Sequence, residues 1–379
     1  MFNVTEDIKY IGADDTDLDL FEGQYKVPFG VSYNSYICFD KKIAVFDTAD
    51  NRKTKEWLEN LSAALNGATP DYLIVLHVEP DHSASIPAFL KRYPSATVVG
   101  NEKTFVLIER FYGDIALNKL IVKDGDELDL GKHALKFVFA PSVHWPEVMM
   151  SYDKTDKVLF SADAFGKFGA LSHEEEWLDE ARRYYINIVG KYGIPVQNVL
   201  KKLSAFDIAA ICPLHGPVLK DNLSYYINKY DAWSSYRPEE EGVLIAYASV
   251  YGNTAAAARK LAEKISIKTE VFDLNRCDMS EVVATAFKYS KLVLASVTYD
   301  GSVLPCAESF ISKLKSKNFS NRTVGFIENG SWAPAAARVM RASFENFKNI
   351  SFCNNTVTVK SAVDNDAEAQ IERLAAELS

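Results

Sequence analysis

The chain has 379 residues, of which 48% are apolar and 25% charged, with a net charge of −9 and a pI near 5.3. That length predicts two domains rather than one. The acid excess argues against broad nucleic-acid binding, and no apolar run reaches the roughly 18 residues of a membrane span.

The start, Met1-Phe2-Asn3-Val4-Thr5-Glu6-Asp7, has no basic segment followed by an apolar one, so no secretory signal is expected. Residues 31–39 and 42–47 are β-rich runs parted by Asp40-Lys41, which predicts a hairpin. Residues 51–65 carry Leu58, Leu61 and Leu65 at helical spacing. Residues 71–76 read as a short buried strand that runs into His77-Val78-Glu79-Pro80-Asp81-His82. Residues 96–100, 134–140, 158–161 and 208–212 read as further strands, and 174–192 as one amphipathic helix. A proline and three acids in Tyr236-Arg237-Pro238-Glu239-Glu240-Glu241 suggest a linker. Beyond it strands and helices alternate strictly. The strands are 243–248, 269–273, 292–296, 323–327 and 356–360. Helices begin near Asn253, Met279, Pro305 and Trp332, and a last one spans 367–378. Five strands alternating with helices imply a doubly wound parallel sheet.

Metal-ligand residue types concentrate in the first region. His77, Glu79 and Asp81 sit two apart, and in an extended segment such residues project to one side. His82 could then turn toward the same site from the other side. His144, Asp163 and His215 each occupy a loop just past an apolar run, in Pro141-Ser142-Val143-His144-Trp145-Pro146, Ala162-Asp163-Ala164-Phe165-Gly166 and Pro213-Leu214-His215-Gly216. Four imidazoles and three carboxylates exceed the needs of one ion, so two metals sharing a carboxylate is the simplest reading. Nitrogen and oxygen donors suit iron, manganese or zinc. His133 and His173 lack such context and read as surface or structural. Cys38, Cys212, Cys277, Cys306 and Cys353 are scattered, with no CxxC pair. That fits a reducing, cytoplasmic setting and argues against a thiolate metal motif.

In the second region Ser249-Val250-Tyr251-Gly252-Asn253-Thr254 follows a strand and opens a helix. Backbone N–H groups at a helix N-terminus, with Ser and Thr hydroxyls, bind phosphate. The absence of Lys and Arg from this loop suits a monophosphate. Thr298-Tyr299-Asp300-Gly301 and Glu328-Asn329-Gly330-Ser331-Trp332 follow the third and fourth strands. Both fall at carboxyl strand ends, where such sheets bind ligands, and Tyr299 and Trp332 are candidates to stack on a flat ring.

The first region resembles the metallo-β-lactamase fold, with Glu79 replacing the second His of the usual His-x-His-x-Asp-His. The phosphate loop resembles that of flavodoxins. The variant metal motif joined to a flavodoxin-like domain resembles the flavodiiron proteins, or A-type flavoproteins, over nearly the whole chain. That resemblance implies an α/β multidomain chain. An αββα metallo-β-lactamase-like sandwich over 1–236 would precede a doubly wound flavodoxin-like parallel sheet over 242–379. It implies that His77, Glu79 and His144 bind one iron, that Asp81, His82 and His215 bind the other, and that Asp163 bridges them. FMN rather than FAD would occupy the loops at 249–254, 298–301 and 328–332. Tyr25 and Trp145 would line the iron pocket. The family pairs subunits head to tail, so a homodimer, or a dimer of dimers, would place one flavin beside the partner's irons, with Glu79 facing it. The expected activity is reduction of O2 to water, of NO to N2O, or both. Electrons would come from a separate donor such as rubredoxin. A zinc-dependent hydrolase carrying a flavodoxin module is the alternative. Zinc, however, has no redox chemistry to offer a flavin.

Overall fold

The computed structural model describes every residue except Ala116. A seven-stranded sheet runs in the order Phe2–Asn3, Ile8–Tyr10, Tyr36–Cys38, Ala44–Phe46, Tyr72–Ile74, Thr97–Gly100 and Asn118–Ile121. Its first four strands are antiparallel and the last four parallel. A second sheet runs Glu127–Asp129, Ala134–Phe139, Met149–Asp153, Val158–Phe160 and Ala210–Cys212. Phe46 of the first sheet stacks on Phe160 of the second with ring centroids 3.7 Å apart, so the two inner faces meet in one apolar core. Helices Thr54–Leu65 and Glu102–Tyr112 bury the apolar stripes Trp57, Leu61, Leu65 and Phe105, Ile108. The second of these starts cleanly because Asn101 and Thr104 form a reciprocal capping box.

The hairpin about Asp40-Lys41 forms, with Tyr36 opposite Phe46 and Cys38 opposite Ala44. The run 31–39 is nevertheless two strands. Val31–Tyr33 pairs with Ala13–Asp15 instead. The break falls at Asn34, whose side-chain amide donates to the carbonyls of Pro213 (2.8 Å) and Gly216 (2.7 Å). The single helix expected over 174–192 is also interrupted. It is α-helical over Trp177–Tyr184, then a wider π-type turn over Tyr185–Val189 and a 3-10 turn over Gly190–Tyr192. Buried Asn187 sits in the wide turn and donates to Ser280 O at 3.0 Å.

The second sheet-and-helix unit has the strand order Thr269–Asp273, Glu240–Ala248, Tyr289–Val297, Arg322–Asn329, Ile350–Val359, all parallel. This is the flavodoxin order, in which the first strand lies between the second and third. The acidic run taken for a linker enters the sheet: Glu240 pairs with Lys268 at 2.7 Å, and Glu241 accepts from the Ser290 hydroxyl at 2.7 Å. The fourth helix starts at Ala336 rather than near Trp332. Residues 330–335 are held as a loop because Thr298 Oγ1 accepts the N–H groups of Ala335 (2.9 Å) and Ala336 (3.2 Å).

Two compact units result. The first comprises Met1–Tyr185 and Ile194–Asp231, the second Ile186–Gly193 and Ala232–Ser379. The boundary expected at 236–242 thus falls inside the second unit, which also takes in the stretch containing Asn187. Among the described residues no helix is long and apolar enough to cross a membrane.

Candidate functional site

The Tyr72–Ile74 strand delivers His77 to the sheet edge, where Asp47 Oδ1 accepts the Leu76 and His77 N–H groups at 2.8 and 3.2 Å. The extended course then stops. Pro80–Ser83 is a helical turn with Pro80 in its first position. The ring of Pro80 fixes a helical φ, and the His82 and Ser83 N–H groups bond back to Glu79 O at 2.9 and 3.0 Å. His77 and Glu79 therefore leave an extended segment, whereas Asp81 and His82 leave a helix. This corrects the expectation of three ligands on one extended face. His144, Asp163 and His215 come from loops at the ends of second-sheet strands. Ser142, Ala162 and Phe165 beside them have φ of 65°, 50° and 69°. Non-glycine residues persist there only where surroundings enforce it.

All seven predicted ligands converge. His77, Glu79, His144 and Asp163 form one group and Asp81, His82 and His215 another, each with ligand atoms within 4.8 Å. Asp163 joins them. Its Oδ2 lies 3.1 Å from His144 Nε2 and 3.5 Å from His77 Nε2, while its Oδ1 lies 3.0 Å from His82 Nε2 and 3.9 Å from His215 Nε2. Glu79 Oε2 is 3.0 Å from His144 Nε2 and 3.2 Å from His77 Nε2. Asp81 Oδ2 is 3.3 Å from His82 Nε2 and 3.2 Å from His215 Nε2.

The site is nearly sealed: His77 and His82 are fully buried, and Asp163 and His215 are 1% exposed. Burial pushes the histidines down, but the carboxylates win. Asp163, Glu147 and Glu79 hold His77 well above its ordinary value, Asp81 and Asp163 hold His82 up to about 9, and Asp163 and Glu79 hold His144 up to about 9. Against burial, the same histidines hold Asp163 and Glu79 well below the carboxylate range. The field inside therefore demands positive charge. Both oxygens of Asp81, both ring nitrogens of His82, Asp163 Oδ1 and His215 Nε2 nevertheless have no hydrogen-bond partner. Buried polar atoms without partners are costly. A pair of cations shared through Asp163 would satisfy Asp81 Oδ2, His82 Nε2, Asp163 Oδ1 and His215 Nε2, and oxygen and imidazole donors fit iron.

Two histidines are oriented from behind. His77 Nδ1 donates to Glu147 Oε1 at 2.8 Å, and His215 Nδ1 donates to Ser32 O at 2.7 Å, which leaves each Nε2 free to bind. Glu147 and Asp47 were missed by sequence reasoning. Glu147 lies only three residues past His144, but its partner His77 is 70 positions away. Trp145 packs edge-on to His77 at 5.3 Å. A cavity of about 210 Å³ beside Glu79 and Asp81 is lined by Phe21, Glu22, Tyr33 and Arg52. Tyr25 packs on Phe168 and lies outside that lining.

In the second unit the three predicted loops surround a cavity of about 710 Å³. Every residue expected to bind the cofactor lines it except Gly252 and Glu328, and Val297, Ala333 and Ser361 join them. Glu328 points elsewhere, accepting from Ala337 N and the Thr358 hydroxyl at 3.0 and 2.9 Å. Gly252 supplies the turn: its φ is 90°, and helix Asn253–Lys264 begins after it without a side-chain cap, so the first helical N–H groups remain available to an anion. Tyr299 is 48% and Trp332 90% exposed, an unusual state for aromatics unless a ring covers them. The cavity's size, its uncapped helix start and its aromatic walls fit FMN.

Comparison with known proteins agrees with this geometry. A model described as ODP family beta lactamase matches residues 31–216, and one described as flavodoxin domain matches 244–355. The chain is 28% identical over 362 residues to an uncharacterized protein of Methanocaldococcus jannaschii, covering 93% of this chain and 90% of that one. It is 28% identical over 364 residues to the anaerobic nitric oxide reductase flavorubredoxin of Aliivibrio fischeri, covering 90% and 73%. The rubredoxin oxygen:oxidoreductase of Desulfovibrio gigas superposes with a TM-score of 0.92 over 99% of this chain and 97% of that one; at 24% identity this speaks for the fold alone. A variant of the flavo di-iron protein of Thermotoga maritima superposes with a TM-score of 0.87 at 26% identity, covering 98% and 96%. In its two matched domains and its overall build the chain is similar to the flavodiiron proteins. As in that family, a β-lactamase-like unit precedes a flavodoxin unit. The flavodiiron build accounts for both constellations at once: a buried double histidine–carboxylate group and a flavin-sized cavity.

Proposed function

We propose that this protein reduces dioxygen to water, nitric oxide to nitrous oxide, or both, at a pair of irons supplied with electrons by FMN. The observation that carries the reading is the division of Asp163, with one carboxylate oxygen turned to each of two histidine–carboxylate groups. His77, Glu79 and His144 would hold one iron, Asp81, His82 and His215 the other, and Asp163 both. When bound, the irons and the flavin supply the electron transfer. The chain's own residues do the rest. Glu147 and Ser32 hold His77 and His215 in the tautomers that leave Nε2 free. Glu79 adds a negative charge that favours higher oxidation states. The buried walls keep bulk water away, which strengthens every electrostatic contact inside.

The Asn253–Lys264 N-terminus with Ser249 and Thr254 would take the FMN phosphate, and Tyr299 and Trp332 would flank its ring. A separate donor such as rubredoxin would deliver electrons. A head-to-tail homodimer, possibly doubled, would bring the flavin of one subunit to the irons of its partner, with Glu79 toward the ring. The exposure of Tyr251 (93%) and Trp332 (90%) supports a face that another surface covers. Five free cysteines support a cytoplasmic setting. A zinc hydrolase would leave the flavin cavity without a role.

The test is gas uptake by protein loaded with iron and FMN and reduced anaerobically. Consumption of O2 without peroxide release, or of NO with N2O formation, is expected. Consumption of neither gas overturns the reading.

A further inference from the structure

At the far end of the Ala134–Phe139 strand from His144 lies a second histidine–carboxylate group, outside the centre described above. His133, Asp153 and Asp156 place ligand atoms within 4.8 Å of one another. His133 and Asp153 are fully buried, and Asp156 is half-buried. His133 Nε2 donates to Asp7 Oδ2 at 3.2 Å, an arrangement that leaves Nδ1 as a lone pair. That nitrogen lies 3.1 Å from Asp153 Oδ1, at ion-pair distance but without hydrogen-bond geometry, and neither atom has a hydrogen-bond partner elsewhere. The other oxygen, Asp153 Oδ2, is taken by the Asp156 N–H at 2.7 Å. The His133 backbone is fixed in turn, its N–H donating to Asp40 Oδ2 at 2.7 Å.

Two bare acceptors so close repel unless something positive lies between them. Ligands bonded to one ion at about 2.0–2.2 Å stand roughly 2.8–3.6 Å apart, from right-angled to tetrahedral geometry. The main centre shows the same two marks. His82 Nε2 faces Asp163 Oδ1 at 3.0 Å and His215 Nε2 faces Asp81 Oδ2 at 3.2 Å, and all four atoms are orphaned. Burial disfavours charge on the His133 ring, but Asp153 and Asp7 outweigh it and hold the imidazole above its ordinary value. The spot favours positive charge.

We propose that His133 Nδ1, Asp153 and Asp156 bind a divalent cation of the zinc class, which pins together the turns at 130–133 and 154–157 of the second sheet. One imidazole and two carboxylates suit such an ion. Half-buried Asp156 gives it a way in and leaves room for water to complete its shell. Asp7 stands behind His133 as Glu147 stands behind His77. The rival occupant is a proton on Nδ1, which would make a buried imidazolium between Asp7 and Asp153.

The experiment equilibrates iron- and FMN-loaded protein with micromolar free zinc and counts zinc and iron in the same digest. Wild type is expected to gain one zinc per chain that Asp156→Ala and His133→Gln lack, with iron unchanged. A zinc-edge anomalous map of the wild-type crystal should place that ion within the trio. Asp156→Ala alters only a half-buried turn and decides the matter even if His133→Gln fails to fold. Equal zinc in wild type and Asp156→Ala, or an anomalous map with no peak there, overturns the proposal in favour of the proton.

Discussion

Glu147 touches no predicted ligand atom of the centre, yet it sets how His77 presents itself. Its Oε1 accepts both His77 Nδ1–H and the Val78 N–H (3.0 Å) from a buried position. Glu147→Leu removes that anchor and leaves the ring free to turn. Iron affinity is expected to fall about 10–100-fold, read as iron retained after dialysis against graded chelator. Asp163→Ala removes the shared carboxylate altogether, so turnover should vanish and iron content drop while FMN stays bound. A variant with normal gas uptake would end the bridging role. The seven side chains that converge were legible because each stands in a compact segment whose residue types have few other uses. Glu147 and Asp47 were not. A carboxylate that orients a histidine from another strand has no local spacing to betray it.

The elements of the second unit were easier to read than those of the first. Its strands Glu240–Ala248 and Tyr289–Val297 are nine residues each, long enough for flanking helices to punctuate them. Met149–Asp153 in the first unit is buried at all five positions and so shows no alternation. Asn118–Ile121 is an edge strand exposed on most of its length and lacks an apolar signal altogether. Two predictions belong to these elements. Gly252 holds its φ of 90° with open space around it, so a side chain there meets no clash but a backbone penalty. Gly252→Ala is expected to cost about 1–2 kcal/mol in the bound loop, weakening FMN by roughly 5–30-fold in a fluorescence titration. Arg322 is buried among backbone carbonyls. Its guanidinium donates to the carbonyls of Tyr289 (2.6 Å), Phe287 (2.5 Å), Tyr236 (2.7 Å) and Ser320 (2.8 Å). Arg322→Met strands these acceptors, and denaturant unfolding should show a loss of about 3–5 kcal/mol.

At the scale of the whole molecule, each cofactor cavity is built from residues of one unit only. Stripping iron with a chelator is therefore expected to leave the flavin absorbance intact, and a spectrum before and after treatment checks this. Loss of both together would mean the two sites depend on each other. The two units were foreseeable from the change of pattern near Pro238, but the membership of Ile186–Gly193 was not, because nothing in that stretch differs from the helix leading into it. Its consequence reaches past folding. A protein cleaved or recombined near Pro238 would keep Asn187 while losing the Ser280 carbonyl it donates to and the Lys317 ammonium that donates to its own carbonyl. The halves are not interchangeable cassettes. Any graft of the flavin-binding half onto a different metal-binding half must carry eight residues embedded upstream, Ile186 to Gly193, or rebuild the surface they cover.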